Sequence, residues 1–359
     1  MKRILIMAGG TGGHIFPALV VARALREQGV EVHWLGTAGK LEEKVVAPEF
    51  PLNRIQIKAF RGKGLLRKCL MPFRLARALF QSYRIICRLN PGVIFSMGGY
   101  VSGPGGLAAW LKRIPLLIHE QNSVAGLTNR ALAVMAKSIM QAFPNTFPKN
   151  PKVTTTGNPI RVELLNIPLP QTRFADRQGP LRILVLGGSQ GARSINQKMT
   201  GALNQYPRSN EIMIWHQTGQ LDYQSVKNTY QKILIKTQVN AFIDDIASAY
   251  AWADLIVCRS GALTVSEIAA IGVASIFIPY PHAVDNHQFY NGRFLEQAGA
   301  AIIIPEESLT EVDLVHYFEQ FAHHRGRLVA MAECARNLAQ PNAVRYVIAQ
   351  CEKCYVARQ

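Results

Sequence analysis

Short apolar runs rich in Ile, Val and Leu recur along the chain, with stretches of helical periodicity between them. In the first half they are RILIMA (3–8), VHWLG (32–36), GVIFSM (92–97), PLLIHE (115–120) and KVTTTG (152–157). In the second they are RILVLG (182–187), IMIWHQ (212–217), ILIKT (233–237), DLIVC (254–258), ASIFIP (274–279) and AAIIIP (300–305). None alternates cleanly between apolar and polar, which is the pattern of strands buried on both faces. FPALVVARALREQG (16–29) reads as a helix, with Pro17 near its start and Gly29 just past its end. Strands alternating with helices predict an α/β fold with parallel sheets.

Residues 158–180 break this rhythm. They hold prolines at 159, 168, 170 and 180 with little periodicity, and read as a linker. A unit on either side opens with Arg-Ile-Leu and a glycine loop. Arg3 and Arg182 lie 179 residues apart in a chain of 359, half its length. Two similar doubly wound, Rossmann-like domains facing a shared cleft are therefore expected, with boundaries near 1–160 and 161–340.

Composition narrows the class. With 48% hydrophobic and 18% charged residues the chain reads as a soluble globular protein. The opening MKRILIMAGG imitates a secretion signal, but glycines and His14 cut its apolar run short, and no stretch approaches the roughly 20 apolar residues that span a bilayer. The six cysteines contain one close pair, Cys351-x-x-Cys354, without a second pair to complete a zinc site, and read as free thiols of a cytosolic protein. Forty Lys and Arg against 23 Asp and Glu leave a charge of +17, which points to an anionic partner: nucleic acid, anionic lipid or a phosphorylated substrate.

Candidate chemistry begins at the glycine loops. Gly9, Gly10, Gly12 and Gly13 follow the first strand; Gly187, Gly188, Ser189 and Gly191 follow its counterpart; SMGGYVSGPGG (96–106) makes a third cluster. Backbone N–H groups between a strand end and a helix start point outward, glycine lets a phosphate approach them, and the helix dipole adds positive charge. The plainer reading is that glycine only permits the tight turn. Neither opening loop is G-x-G-x-x-G or contains G-K-[S/T], which disfavours a redox dinucleotide and excludes a P-loop.

The densest constellation is CRSGALTVSEIAAIG (258–272). Thr264 or Ser266 can cap the helix that starts there, and Glu267 suits a pair of ribose hydroxyls; alternatively Thr264 and Glu267 form a capping box. PYPHAVDNHQFYNG (279–292) places Asp285, Asn286, His287 and Gln288 together, a set able to bond a hydroxyl-rich sugar or simply a solvated loop.

GGTGGHIFPAL, GGYVSGPG, HEQN, GNPIR, GGSQGA, CRSGALTVSE and DNHQ, in this order from residue 9 to 288, resemble the MurG family (glycosyltransferase family 28). One departure is Ala274, where many relatives carry proline. The resemblance implies the two-domain GT-B fold, with a C-terminal helix over 341–359 returning to the first domain. It implies inverting transfer of N-acetylglucosamine from UDP-N-acetylglucosamine to the C4 hydroxyl of the muramoyl residue of lipid I, giving lipid II for peptidoglycan and thus for cell-wall growth, shape and division. By the same resemblance Ser189 holds the diphosphate, Ile243 contacts uracil through its backbone, and Ala262, Leu263, Thr264, Val265, Ser266 and Glu267 bind phosphate and ribose. Gln288 holds the acetylglucosamine, and Thr11, Gly12, Gly13, Asn122 and Arg161 complete the donor site. His14 is the expected base or acceptor-positioning group, an ordinary imidazole pKa of about 6.5 suiting that work; Glu120 is the rival base. Their plainer readings are a loop-bonding histidine and a strand-end carboxylate bonding nearby backbone. No D-x-D occurs and the adjacent Asp244 and Asp245 diverge if extended, so neither a metal nor another cofactor is expected. Lipid I, UDP-N-acetylglucosamine and other cell-wall synthesis proteins are the implied partners.

The positive charge then finds a place. Residues 61–88 hold eight Lys or Arg and no acid. In a helix begun by Pro72, Arg74, Arg77, Arg84 and Arg88 form one stripe, Leu75, Leu79, Tyr83 and Ile86 a packing stripe, and Phe73 and Phe80 border the basic one. With Leu65 and Leu66 in the lead-in, this suits peripheral attachment to an anionic membrane surface, on the cytoplasmic face of the bacterial inner membrane; an ordinary solvated helix is the alternative. Two other functions compete: a UDP-N-acetylglucosamine epimerase of the same fold, and a nucleic-acid-binding protein, for which no recognition motif is present.

Overall fold

The computed structural model describes residues 1–57, 71–188 and 190–356, in two compact units: Met1–Arg161 with Pro341–Gln359, and Val162–Gln340. Ser189, Leu65 and Leu66 lie outside the described residues.

The first unit is built on seven parallel strands: β1 (Arg3–Ala8), β2 (Glu31–Gly36), β3 (Leu52–Arg54), β4 (Val93–Gly98), β5 (Leu116–Glu120), β6 (Ser138–Gln141) and β7 (Val153–Thr155), ordered β3-β2-β1-β4-β5-β6-β7. The second has six: β8 (Leu181–Leu186), β9 (Ile212–Gln217), β10 (Lys236–Asn240), β11 (Leu255–Cys258), β12 (Ala274–Phe277) and β13 (Ala301–Ile303), ordered β10-β9-β8-β11-β12-β13. Apart from β7 the order is the same, and β1 and β8 contain the two Arg-Ile-Leu runs. In each sheet the order in which strands are added reverses beside that strand, between β1 and β4 and between β8 and β11. Ligands of such sheets bind beyond the strand ends at this switch point, and the glycine clusters leave the sheets there.

The unbroken apolar runs have a direct cause. Ile4 and Ile6 pack with Ile15, Leu19, Val347 and Cys351 from helices Gly12–Glu27 and Ala343–Val356. Leu5 and Met7, pointing the other way, pack with Ala78, Ile86 and Ala108 from helices Met71–Leu89 and Ser102–Leu111. Both faces of β1 are covered from Ile4 to Ala8, so that run is continuously apolar. Gly105 lets its helix settle on the sheet: a Cβ there would stand 2.3 Å from the Met7 sulfur.

Several elements differ from the sequence reading. The first helix starts at Gly12, with Thr11 as N-cap, so Pro17 is its sixth residue rather than its second. β10 begins at Lys236 instead of Ile233. It ends the sheet order and is half exposed, so it needs no apolar run, and Ile233 and Ile235 pack on the core instead. β3 and β6 were not expected: β3 is three residues long, and β6 reads SIMQ, half polar. Residues 158–180 are not a loose linker. They contain helices Val162–Leu165 and Pro170–Phe174. Arg173 donates to the carbonyls of Ile271 and Gly272, and Arg177 to those of Ala251, Trp252 and Ala253 and to the buried Asp254. Both guanidiniums thus satisfy carbonyls at helix C-termini, where cations are favoured.

Candidate active site

In the first unit the glycine loop is held from below by a carboxylate. Glu42, 2% exposed, accepts from the Gly10 N–H (3.2 Å) and the Thr37 hydroxyl (3.0 Å). Gly10, at φ +93°, carries the ring of Tyr100 where its own Cβ would be. The third glycine cluster packs against this loop: a Cβ on Gly99 would come 2.4 Å from the Gly9 carbonyl oxygen, and one on Gly98 within 3.2 Å of the His14 imidazole. Gly99 is therefore explained by close backbone approach and Gly98 by its left-handed φ of +96° against the His14 ring, and the Gly10 N–H is already committed to a carboxylate.

His14 stands in the first turn of its helix. Its Nδ1 lies 3.0 Å from Thr11 Oγ1. As N-cap, Thr11 would ordinarily turn its hydroxyl to the helix backbone; instead it orients the imidazole. Gly12 and Gly13 complete that turn, Gly12 beneath the Phe16 ring, and the Arg161 guanidinium lies 6.0 Å from the centre of the same ring.

Glu120 does not fit the role of rival base. Its Oε1 accepts from Asn122 N (3.0 Å) and Nδ2 (3.2 Å), and its Oε2 from Gly126 N (3.0 Å) and Asn129 Nδ2 (2.9 Å). An ionised carboxylate offers about four lone-pair sites, and all are used in a group 2% exposed. Glu120 fastens the loop that carries Asn122. The adjacent His119 is buried, and desolvation lowers its pKa from 6.5 to about 4. The neutral ring bonds the Gly157 carbonyl (3.0 Å) through Nε2, which therefore carries the proton, and accepts from Gln121 through Nδ1 (3.1 Å). Asn158 donates to the Gln121 carbonyl, so HEQN and GNP interlock. Sequence reasoning missed His119, Gln121 and Glu42 because their partners lie in other segments.

In the second unit Gly191, at φ +83°, passes so close to the Thr218–Gly219 turn that a Cβ would meet the Thr218 carbonyl oxygen at 2.3 Å. Helix Arg193–Gln205 then begins, after Ala192. Helix Ala262–Ile271 has Gly261 as N-cap with no side-chain cap. Thr264 and Glu267 thus sit inside the helix, which removes both the capping box and the capping roles of Thr264 and Ser266. Val265 is fully buried and its N–H bonds the Gly261 carbonyl, so it has no group for a ligand. Ala262 is also buried, whereas Leu263, Thr264, Ser266 and Glu267 are partly exposed. Tyr250, in helix Ile246–Trp252, donates to Glu267 Oε2 at 2.9 Å.

The Ile243 N–H donates to Gln217 Oε1, so a base contact from this residue would run through its carbonyl. Gln288 accepts from the Tyr280 N–H (2.9 Å) and His287 bonds the Val284 carbonyl (2.7 Å). The adjacent Asp285 and Asn286 take the left-handed conformation, φ 51° and 52°, that turns the chain into helix His287–Glu296. Arg259, given no role from sequence, donates to the Ile278 and Pro279 carbonyls and pairs with Glu306, bracing this loop. Among the described residues no three His, Cys, Asp or Glu gather as metal ligands.

Residues 4–141 match the sequence profile of the glycosyltransferase family 28 N-terminal domain, and residues 182–346 that of its C-terminal domain. The chain belongs to glycosyltransferase family 28. Among the relatives, a protein of Coxiella burnetii (strain RSA 493 / Nine Mile phase I) named UDP-N-acetylglucosamine--N-acetylmuramyl-(pentapeptide) pyrophosphoryl-undecaprenol N-acetylglucosamine transferase is 70% identical over 358 residues, 100% of both chains. A protein of Marinobacter nauticus with the same name is 46% identical, covering 98% of this chain and 97% of its own. The crystal structure of MurG from Acinetobacter baumannii, 42% identical, superposes with a TM-score of 0.87 over 98% of this chain and 100% of that one. The two parallel-sheet units are those of the GT-B fold. A UDP-N-acetylglucosamine 2-epimerase of Neisseria meningitidis shares that fold at 13% identity, with a TM-score of 0.67 over 100% of both chains. Family 28 membership therefore does not favour the epimerase alternative.

Proposed function

We propose that this chain transfers N-acetylglucosamine from UDP-N-acetylglucosamine to the C4 hydroxyl of the muramoyl residue of undecaprenyl-diphospho-N-acetylmuramoyl-pentapeptide, with inversion at the anomeric carbon. The observation that carries this is full-length similarity, at 46% and 70% identity, to relatives that bear the transferase's name.

Inversion is one in-line displacement: the acceptor oxygen attacks the anomeric carbon opposite the departing UDP and gives up its proton. His14 receives that proton. Thr11 holds Nδ1, so Nε2 is the nitrogen assigned to the transfer, with Nδ1–H donating to the threonine hydroxyl. The donor belongs to the second unit. Its diphosphate takes the loop holding Gly188 and Ser189 and the N–H groups at the start of helix Ala262–Ile271, whose dipole stabilises the leaving group's charge. Glu267, aimed by Tyr250, takes the ribose hydroxyls; Ile243 takes uracil; Gln288 takes the sugar through its amide N–H groups, its oxygen being held by Tyr280.

The lipid acceptor calls for attachment to a membrane, on the cytoplasmic face of the inner membrane. Helix Met71–Leu89 supports this: Phe73 and Phe80 are 75% and 62% exposed, Arg74, Arg77 and Arg84 are exposed beside them, and no acid interrupts. Among the described residues no helix is long and apolar enough to cross a bilayer. The test is transfer of labelled N-acetylglucosamine to a short-chain lipid I analogue. Product formed only with that acceptor supports the reading; donor turnover to the 2-epimer without it would sink the reading.

A further inference from the structure

Gln217 ends β9 and is 5% exposed. Its amide reaches two loops that are distant in sequence. On one side Nε2 donates to the Gly188 carbonyl at 2.9 Å, in the glycine loop after β8. On the other Oε1 accepts from the Ile243 N–H at 3.0 Å, in the loop after β10. One partner is a carbonyl and the other an N–H, so the orientation of the amide is fixed by its neighbours. The main chain adds to the join: Gly187 N–H donates to the Gln217 carbonyl at 3.1 Å, while Thr218 and Gly219 donate to the carbonyls of Asn240 and Ala241, each at 3.0 Å.

We infer that Gln217 is a positioning residue for the nucleotide donor, a strut that fixes the spacing between the loop gripping the diphosphate and the loop contacting the base. This rests on the donor assignment above. A nucleoside diphosphate engages both loops with one molecule, and its affinity depends on the two contacts being pre-spaced. A side-chain amide donates on one side and accepts on the other from the same position. Glutamate keeps an acceptor for Ile243 but sets a carboxylate oxygen against the Gly188 carbonyl; methionine fills similar space and makes neither bond. The contrast with the first unit is instructive. There Glu42 takes a loop N–H, whereas here the side-chain amide takes a loop carbonyl.

The experiment compares wild type, Q217E and Q217M in binding UDP, uridine and inorganic pyrophosphate, and in steady-state transfer. The strut predicts that UDP binding and the KM for UDP-N-acetylglucosamine weaken about tenfold in both variants. Uridine and pyrophosphate, each engaging one loop, should bind within about twofold of wild type, and kcat and the acceptor KM should stay within the same margin. A merely structural role would lower stability and kcat together, or weaken all three ligands alike, and either result overturns the strut. So does unchanged UDP binding in Q217M. Wild-type protein that fails to bind UDP would sink the donor assignment itself, and the strut with it, which separates that failure from one confined to the variants.

Discussion

At the scale of single residues, the site divides groups that can move a proton from groups that hold shape. His14 and Glu120 looked alike in the sequence, since each is a titratable residue at a strand-to-helix loop. Four donated bonds separate them. His14→Ala should lower kcat at least about a hundredfold, by the usual worth of a general base, and should remove the acidic limb of the pH–rate profile. Glu120→Gln turns an amide NH2 toward two fixed donors, each mismatch costing about 1–3 kcal/mol. It should lower the melting temperature and the amplitude of activity while leaving the shape of that profile intact. Steady-state rates from pH 5 to 9 with thermal melts distinguish the two. A Glu120→Gln enzyme that melts normally but loses the acidic limb would restore Glu120 as the base. None of this was readable beforehand, because bond partners such as Asn129 and Gly126 look like ordinary loop residues. By contrast Thr11 and His14 lie three residues apart, and their pairing was within reach of a local reading.

At the scale of elements, periodicity located most buried strands, because residues covered on both faces leave a continuous apolar signature. It failed at the short β3 and the half-exposed β10, where that cause is absent, and at β6, which is buried throughout but ends in Gln141, whose amide bonds Thr155 and the Phe147 N–H. The basic helix shows the same limit. Its basic and packing stripes followed from spacing alone, yet Tyr83 is exposed beneath Lys112, while Ala78 and Ser82 fill the buried face. Arg88 was expected among the lipid-facing cations. It donates instead to Asn53 Oδ1 at 2.7 Å, tying the helix to β3. The membrane prediction is accordingly narrower than the sequence suggested. Charge reversal of Arg74, Arg77 and Arg84 removes about 1 kcal/mol of attraction per site before repulsion is added, so binding to anionic vesicles should weaken at least about a hundredfold. Phe73→Ser with Phe80→Ser should weaken it too, with little salt dependence. Arg88→Glu should instead destabilise the first unit and leave vesicle affinity of the folded protein nearly unchanged. Co-sedimentation with phosphatidylglycerol vesicles measures all three, and equal losses from Arg88→Glu and the triple reversal would count against the assignment of faces.

For the molecule as a whole, both sheets have a feature with a measurable consequence: each buries a neutral histidine near the end of a strand, His119 in β5 and His216 in β9. His119 is lowered from 6.5 to about 4, and His216, which bonds Tyr230 and Asn196, to about 3, both by desolvation. A histidine depressed on folding is protonated first in the unfolded chain. The stability it contributes is therefore complete above pH 6.5 and is lost as pH falls toward the folded value. Between pH 7.5 and pH 5 each residue should cost its own unit about 2 kcal/mol. Carboxylates held low by ion pairs and helix caps, such as Glu49 and Asp313, titrate below this window and add little to it. Urea unfolding at the two pH values should show both units weakening. His119→Gln and His216→Gln should each start from a lower stability, having lost buried bonds, but lose less on acidification, each in its own unit. Variants as acid-sensitive as the wild type would mean that other groups drive the effect. The His–Gly157 and His–Asn196 bonds couple these rings to the segments that carry the site, so transfer activity should fail on acidification before the chain unfolds globally.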